Sequence, residues 1–215
     1  LYTSLLWEPN EYINIMVYPF TDSQILGIST FPYSLKNFFL EGTQQVSASW
    51  ITLENLSFPY CISINSSYIY EQSTDERINQ NDAAITLAHE LGHYLGLRHV
   101  FSEGGTTSMC TDTDYCKDTP SYNRSEYEQW LNNLDKQNKY QLKDLAKRYS
   151  CEKGEYEAHN IMDYAYCFYN EITLEQRKRI RHILNYSPLI PGPKESRIDT
   201  RGVQGRLNLP ICIMK

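Results

Sequence analysis

His89-Glu90-Leu91-Gly92-His93-Tyr94-Leu95-Gly96-Leu97-Arg98-His99 is the stretch on which the reading of this 215-residue chain turns. Two histidines four apart on a helix project from the same face, one turn from each other. Imidazoles so placed reach a single zinc ion at about 2.0–2.1 Å. Glu90 follows the first histidine, and its carboxylate falls beside the ion rather than on it, where a base for the attacking water belongs. A catalytic zinc needs a third protein ligand and one open position. Gly96, three residues after His93, suits the positive φ of a helix stop, and the turned chain then returns His99 to the metal. Three of the five histidines fall within this one stretch, which makes a chance grouping of ordinary histidines a poor account of it.

Outward from the motif, Asn81 or Asp82 is placed to cap a helix, and Ala83 to Leu95 continues it with Ile85, Ala88, Leu91 and Leu95 on one apolar stripe. Upstream the chain reads as β-rich. Strands are expected over residues 12–18, 25–31, 46–53 and 61–70, separated by Pro and Asp/Ser/Thr breaks. Downstream, residues 102–121 are rich in Gly, Thr and Asp and read as a long loop. Residues 125–149 are charged and helix-prone. A last helix is expected from Thr173, because Thr173 and Gln176 form a capping box. Its basic run from Arg177 to Arg181 reads as a solvated face. The Pro- and Gly-rich tail from residue 188 reads as irregular.

Composition narrows the function classes. Hydrophobic residues make up 41% and charged residues 21%, in the range of a soluble globular domain. A net charge of −6 with no basic stripe argues against nucleic acid as a partner. No apolar run is long enough to cross a bilayer. The sequence opens at Leu1 without a recognisable export leader, which we read as a mature form whose upstream segments have been removed. The six cysteines, Cys61, Cys110, Cys116, Cys151, Cys167 and Cys212, include no C-x-x-C pair. That disfavours a cysteine zinc site and favours disulfides in an oxidising compartment, with buried free thiols as the alternative.

The string His-Glu-x-x-His-x-x-Gly-x-x-His resembles the signature of the metzincin metallopeptidases. Asn160-Ile161-Met162-Asp163-Tyr164 is similar to the methionine-bearing turn that lies beneath the metal in that group. Within it the chain most resembles the pappalysin family. Ile13-Asn14-Ile15 with Gly27-Ile28-Ser29-Thr30-Phe31-Pro32 resembles the family's opening strands. His99-Val100-Phe101 and Asp114-Tyr115-Cys116-Lys117-Asp118-Thr119-Pro120 resemble its segment after the zinc motif. The likeness covers roughly residues 11–185 and is strongest over 82–170; residues 124–150 and the tail match poorly.

The resemblance implies an α+β catalytic domain over residues 1–215. Its upper part, to about residue 96, holds a twisted mixed β-sheet and the active-site helix. A lower, more irregular part from about 97 to 187 ends in a helix, and residues 188–215 form the tail. It implies an endopeptidase acting on proteins or peptides, with His89, His93 and His99 on zinc, Glu90 as general base, Met162 beneath the site and Tyr164 stabilising the transition state. It also implies a secreted or cell-surface location, with anchoring through upstream residues left open. Calcium is an option in the loop bearing Glu103, Asp112, Asp114 and Asp118. Crossing pairs among Cys110, Cys116, Cys151 and Cys167 would resemble the family's pattern, although spacing alone leaves three connectivities open. Cys61 and Cys212 either form a further bridge or remain free. His159 and His182 read as structural or surface residues. Family members that prefer basic side chains use an acidic group after the methionine turn; Ala165 to Tyr169 offers none, so no such preference is transferred. Two rivals stand beside the endopeptidase: an inactive zinc-containing binding module of the same fold, and a hydrolase of another superfamily using the bare H-E-x-x-H.

Overall fold

The computed structural model describes residues 5–47, 60–103, 111–150, 152–192, 194 and 211–214. Its main sheet runs in the order β1-β5-β2-β8. β1 (Ile15–Tyr18) lies parallel to β5 (Ile62–Asn65), β2 (Gly27–Thr30) lies antiparallel to β5, and β8 (Ile211–Met214) lies antiparallel to β2. Every residue of β5 is buried, as expected of a central strand covered on both faces. Two small pairs complete the β structure: β3 (Tyr33–Leu35) parallel to β4 (Gln44–Val46), and the hairpin β6 (Lys147–Ser150) with β7 (Gly154–Glu157). The strands expected over 12–18, 25–31 and 61–70 are present in shortened form. The one expected over 46–53 ends at Val46, and residues 48–59 lie outside the described residues.

Strand β8 corrects the irregular tail. Ile211, Cys212 and Ile213 suit a pleated surface, and the last strand pairs in register with β2: Ile211 with Thr30, Cys212 with Ser29, Ile213 with Ile28 and Met214 with Gly27. The prolines and glycines that suggested irregular structure all precede it. The charged stretch also resolves differently from a single helix-prone segment. It forms α2 (Arg124–Asn132), a short α3 (Leu142–Leu145) and then β6.

Helix α1 (Ala83–Tyr94) packs on β2 and β5 and touches β8. Its buried face holds Thr86, His89, Glu90, Gly92, His93 and Tyr94. The stripe of Ile85, Ala88, Leu91 and Leu95 is only half-buried, so the polar motif lies deeper than the apolar stripe. Asp82 stands at the N-cap position, but its carboxylate accepts from the Ser73 N–H instead of capping the helix. The C-terminal end is a Schellman turn. The Leu97 N–H donates to Gly92 O and the Gly96 N–H to His93 O, each at 2.9 Å. Gly96 has φ +88°, where a side chain is strained.

Helix α4 (Leu174–Tyr186) begins with the expected capping box of Thr173 and Gln176. Its basic run is not uniformly solvated. Arg179 is buried and donates to Gly96 O, so the helix ties down the turn that ends α1. Ile183 joins a core with Tyr33, Leu35, Val46, Tyr60, Ile62, Ile64 and Tyr94. A second core contains Leu26, Leu97, Val100, Phe101, Tyr122, Tyr127, Met162 and Tyr164.

Arg148, on β6, is completely buried in the second core's vicinity. Its guanidinium sits 3.6 Å from the centroid of the Tyr127 ring. It donates to the carbonyls of Leu145, Tyr164 and Tyr166 and pairs with buried Asp163 at 3.6 Å. Burial works against its charge most strongly, but Asp163 together with Tyr122 and Tyr127 outweighs it and raises its pKa. Asp163 also accepts from the Tyr122 hydroxyl at 2.5 Å and from the Tyr164 N–H at 2.7 Å. Replacing Arg148 with Ala strands the Asp163 charge, and we expect a loss of about 3–5 kcal/mol in urea unfolding. A loss below about 1 kcal/mol would show that the pair does not hold this segment.

Candidate metal centre

The three motif histidines come together from two elements. His89 and His93 lie on α1, and His99 follows the Schellman turn; all are buried. Their candidate ligand atoms all lie within 4.8 Å of one another, a group that could hold a metal ion. Each ring is held from its Nδ1 side. His89 Nδ1 is 2.8 Å from Ile161 O, and His93 Nδ1 is 2.8 Å from Leu97 O. A carbonyl only accepts, so both Nδ1 atoms carry the proton and both Nε2 atoms present a lone pair. His99 Nδ1 is held by the Glu103 carboxylate.

This arrangement tests whether the residues fit a metal. His93 Nε2 and His99 Nε2 stand 3.0 Å apart. With Nδ1 protonated on each ring, two lone pairs face each other and no proton bridges them. His89 Nε2 is buried without a hydrogen-bond partner. Three converging lone pairs, one of them orphaned, are a poor arrangement for a protein interior and a good one for a cation. Tetrahedral zinc with nitrogens at about 2.0–2.1 Å separates them by about 3.3 Å, close to the 3.0 Å between His93 Nε2 and His99 Nε2. The residues fit the ion.

Electrostatics agree. Burial pushes His89 down from 6.5 to about 4. Burial, with the neighbouring rings adding to it, holds His93 and His99 well below their ordinary value. All three are therefore neutral imidazoles at neutral pH, the form in which histidine binds a metal.

Glu90 is completely buried on α1. The space for its carboxylate depends on Gly27 of β2, where an added Cβ would lie 2.6 Å from Glu90 Cγ. Gly92 plays a similar part on the opposite side. A Cβ there would lie 2.3 Å from Met162 Sδ, so the glycine lets fully buried Met162 pack against α1 beneath the histidines. Tyr164 is buried with its ring centroid 4.5 Å from that of His99 and 5.4 Å from that of His89. Arg124 lies over its other side, 4.6 Å from the ring centroid. Burial, then the nearby Glu90 charge, raises the Tyr164 pKa.

The residues from 41 to 185 match the model of the peptidase family described as Pregnancy-associated plasma protein-A. The chain belongs to that family. Extracellular metalloproteases of Arthroderma benhamiae and Trichophyton verrucosum are each 37% identical to it over 108 residues. Each match covers 49% of this chain and 32% of the relative, so the chain spans about a third of the length of the curated relatives it matches. Mature mirolysin of Tannerella forsythia, solved in complex with a cleaved peptide, has a TM-score of 0.46 at 22% identity. That match covers 82% of this chain and 53% of mirolysin.

Other expectations meet the structure less evenly. The acidic loop residues form no candidate metal group among the described residues. Asp114 accepts from the Cys116 N–H and Thr119 Oγ1, Asp112 from the N–H groups of Asp114 and Tyr115, and Asp118 from the Glu175 N–H. Glu103 serves His99. Among the described residues nothing in this loop supports calcium. Cys116 and Cys167 are buried free thiols, so the second-with-fourth pairing is not formed; Cys110 and Cys151 lie outside the described residues. Cys61 and Cys212 are also free. Cys61 directly precedes β5 and Cys212 lies on β8, and β2 lies between those two strands. His159 bonds Asn170 and stacks on Phe168, and His182 bonds Phe38 O, in keeping with structural roles.

Sequence reasoning missed the supports of the site. From sequence Glu103 reads as a calcium candidate, whereas its position four residues after His99 lets it reach back to that ring. Ile161 O and Leu97 O are backbone groups with no side-chain signature. Because burial keeps the histidines neutral in the folded protein, the unfolded chain takes up protons first as pH falls. Chelated protein should lose stability from about pH 6.5 downward, with the His89 share complete near pH 4; urea midpoints across that range check it, and a flat profile would contradict buried neutral rings. Replacing Glu103 with Ala should weaken zinc affinity by about 10–100-fold in chelator competition, because it orients a ligand ring.

Proposed function

We propose that this chain is a zinc endopeptidase of the metzincin type, acting on protein or peptide substrates outside the cytoplasm. The observation that carries the reading is the convergence of three neutral imidazole lone pairs beside a buried glutamate. Membership of a peptidase family supports the activity, and the extracellular designation of the curated relatives supports the location. No described helix is long and apolar enough to cross a membrane. The reading takes residues 1–215 as one catalytic unit, with parts of about 1–96 and 97–187 on either side of the cleft.

His89, His93 and His99 would hold the zinc, which when bound acidifies a coordinated water and polarises a carbonyl. The chain's own residues do the proton work. Glu90 takes the proton of the attacking water on its carboxylate and passes it to the departing amine nitrogen. Tyr164 keeps its phenolic proton, so its hydroxyl donates to the substrate carbonyl oxygen as negative charge develops there. Met162 touches no reacting atom and supports the floor under α1.

Glu90→Gln keeps shape and volume but removes the base. It should lower turnover by about 10²–10⁴-fold while zinc content by mass spectrometry stays at one per chain. Chelation should abolish cleavage of an unstructured protein, and added zinc should restore it. Near-wild-type turnover in the Gln variant would sink the base assignment, and wild-type protein purified without chelator yet lacking zinc would sink the ligand assignment.

A further inference from the structure

Helix α2 lies in the stretch that matches the family pattern poorly, so the resemblance assigns no role to its residues. Its first residue, Arg124, is nevertheless brought to the metal centre. Two residues earlier, the Tyr122 hydroxyl donates to Asp163, which directly precedes Tyr164, and the Tyr122 carbonyl accepts from the Ser102 N–H at 3.0 Å. Three residues later, buried Tyr127 packs on the Arg148 guanidinium, which itself donates to Tyr164 O. These contacts fix the start of α2 against the segment that carries Met162 and Tyr164.

The guanidinium so placed has two aromatic partners and one anion. It lies 4.6 Å from the Tyr164 ring centroid and 5.2 Å from that of Phe101. Its Nε donates to Glu128 Oε1, one turn on, at 2.6 Å. A cation at the N-terminal end of a helix opposes the helix dipole, so α2 gains nothing from the charge of an arginine there. The pair with Glu128 is half-exposed, and ion pairs of that kind stabilise little. What the arginine does hold is the Tyr164 ring, which is otherwise bounded by His99, Phe101 and His89. The charge of Arg124 is also felt at His99, Glu103 and Tyr164, which places it within electrostatic reach of the centre.

We propose that Arg124 is a positioning residue for the reaction: its guanidinium, lying over the Tyr164 ring, holds that phenol where its hydroxyl meets the substrate carbonyl oxygen. The inference rests on the reading of Tyr164 as the donor to that oxygen. A donor aimed at developing charge is effective when it need not reorganise at the moment of reaction. Arg148 fixes the backbone of Tyr164 through its carbonyl, which leaves the direction of the ring to its neighbours. Attraction between a cation and a ring face restrains that direction, and a ring that turned away from His99 would lose it. Arg124 touches no reacting atom; its effect passes through Tyr164.

Steady-state kinetics and ring dynamics of the full 215-residue chain test this together. The Arg124 side chain is 39% exposed, so its substitution leaves the core alone. Arg124→Met keeps the apolar stem and removes the charge. It should lower kcat on a quenched fluorescent peptide about tenfold, leave KM within about twofold and retain the zinc. Arg124→Lys should recover most of the loss, because it returns a cation to the ring face. In a Tyr164→Phe background, Arg124→Met should cost nothing further. In metal-free protein carrying isotope-labelled tyrosine, the Tyr164 ring signal is assigned by its absence from Tyr164→Phe. Its order parameter should fall in Arg124→Met. An unchanged order parameter overturns the inference, as does an equal loss of kcat in the Phe background or a loss confined to KM. Wild-type turnover in Tyr164→Phe removes Tyr164 from the reaction and the inference with it, and leaves the zinc and Glu90 assignments standing. A zinc-loaded wild-type chain that cleaves nothing overturns the peptidase reading and the role of Arg124 with it.

Discussion

Three imidazole lone pairs aimed at one point are the constraint around which this molecule is arranged. Each ring would relax away from its neighbours if it were free to turn. None is free, because Ile161 O, Leu97 O and Glu103 grip the far nitrogens. The grips come from different parts of the chain. Leu97 is delivered by the Schellman turn at Gly96, Ile161 by the segment leading to Met162, and Glu103 by the loop after His99. Distant packing therefore has a short path to the centre. Arg179 of α4 holds Gly96 O, and Arg148 holds the carbonyls of Tyr164 and Tyr166 while neutralising Asp163. Gly96 directly precedes Leu97, and Tyr164 follows Ile161 by three residues, so both arginines fix backbone beside these grips.

Glycine does related work by leaving room. At Gly27 the missing side chain makes space for Glu90, and at Gly92 for Met162. In both places sheet or helix backbone approaches a buried side chain more closely than any Cβ allows. The cost is the extra backbone entropy that glycine surrenders on folding, and burial on both sides of α1 offsets it.

Much of the site was legible because its chemistry demands residue types at helical spacing. The histidines, Glu90, the stop at Gly96 and the capping box at Thr173 each have a local signature. What stayed hidden depends on chain returning from far away. Backbone carbonyls have no sequence signature, and a buried arginine such as Arg148 or Arg179 looks like any surface arginine until its partners are known. The apolar stripe on α1 pointed to the wrong depth, because the polar motif is buried beneath it. The short strand β8 was masked by the prolines and glycines before it, and strand pairing is a property of the partner as much as of the segment.

The last strand also has a colloidal side. A sheet has two open borders, and here β8 covers the one beside α1 with four residues of backbone pairing. Any process that lifts it away uncovers a row of unsatisfied amide and carbonyl groups on β2. Such a border adheres to other chains, copies of itself included. With β8 paired, that border is satisfied; a chain that lost this pairing would be the stickier of the two.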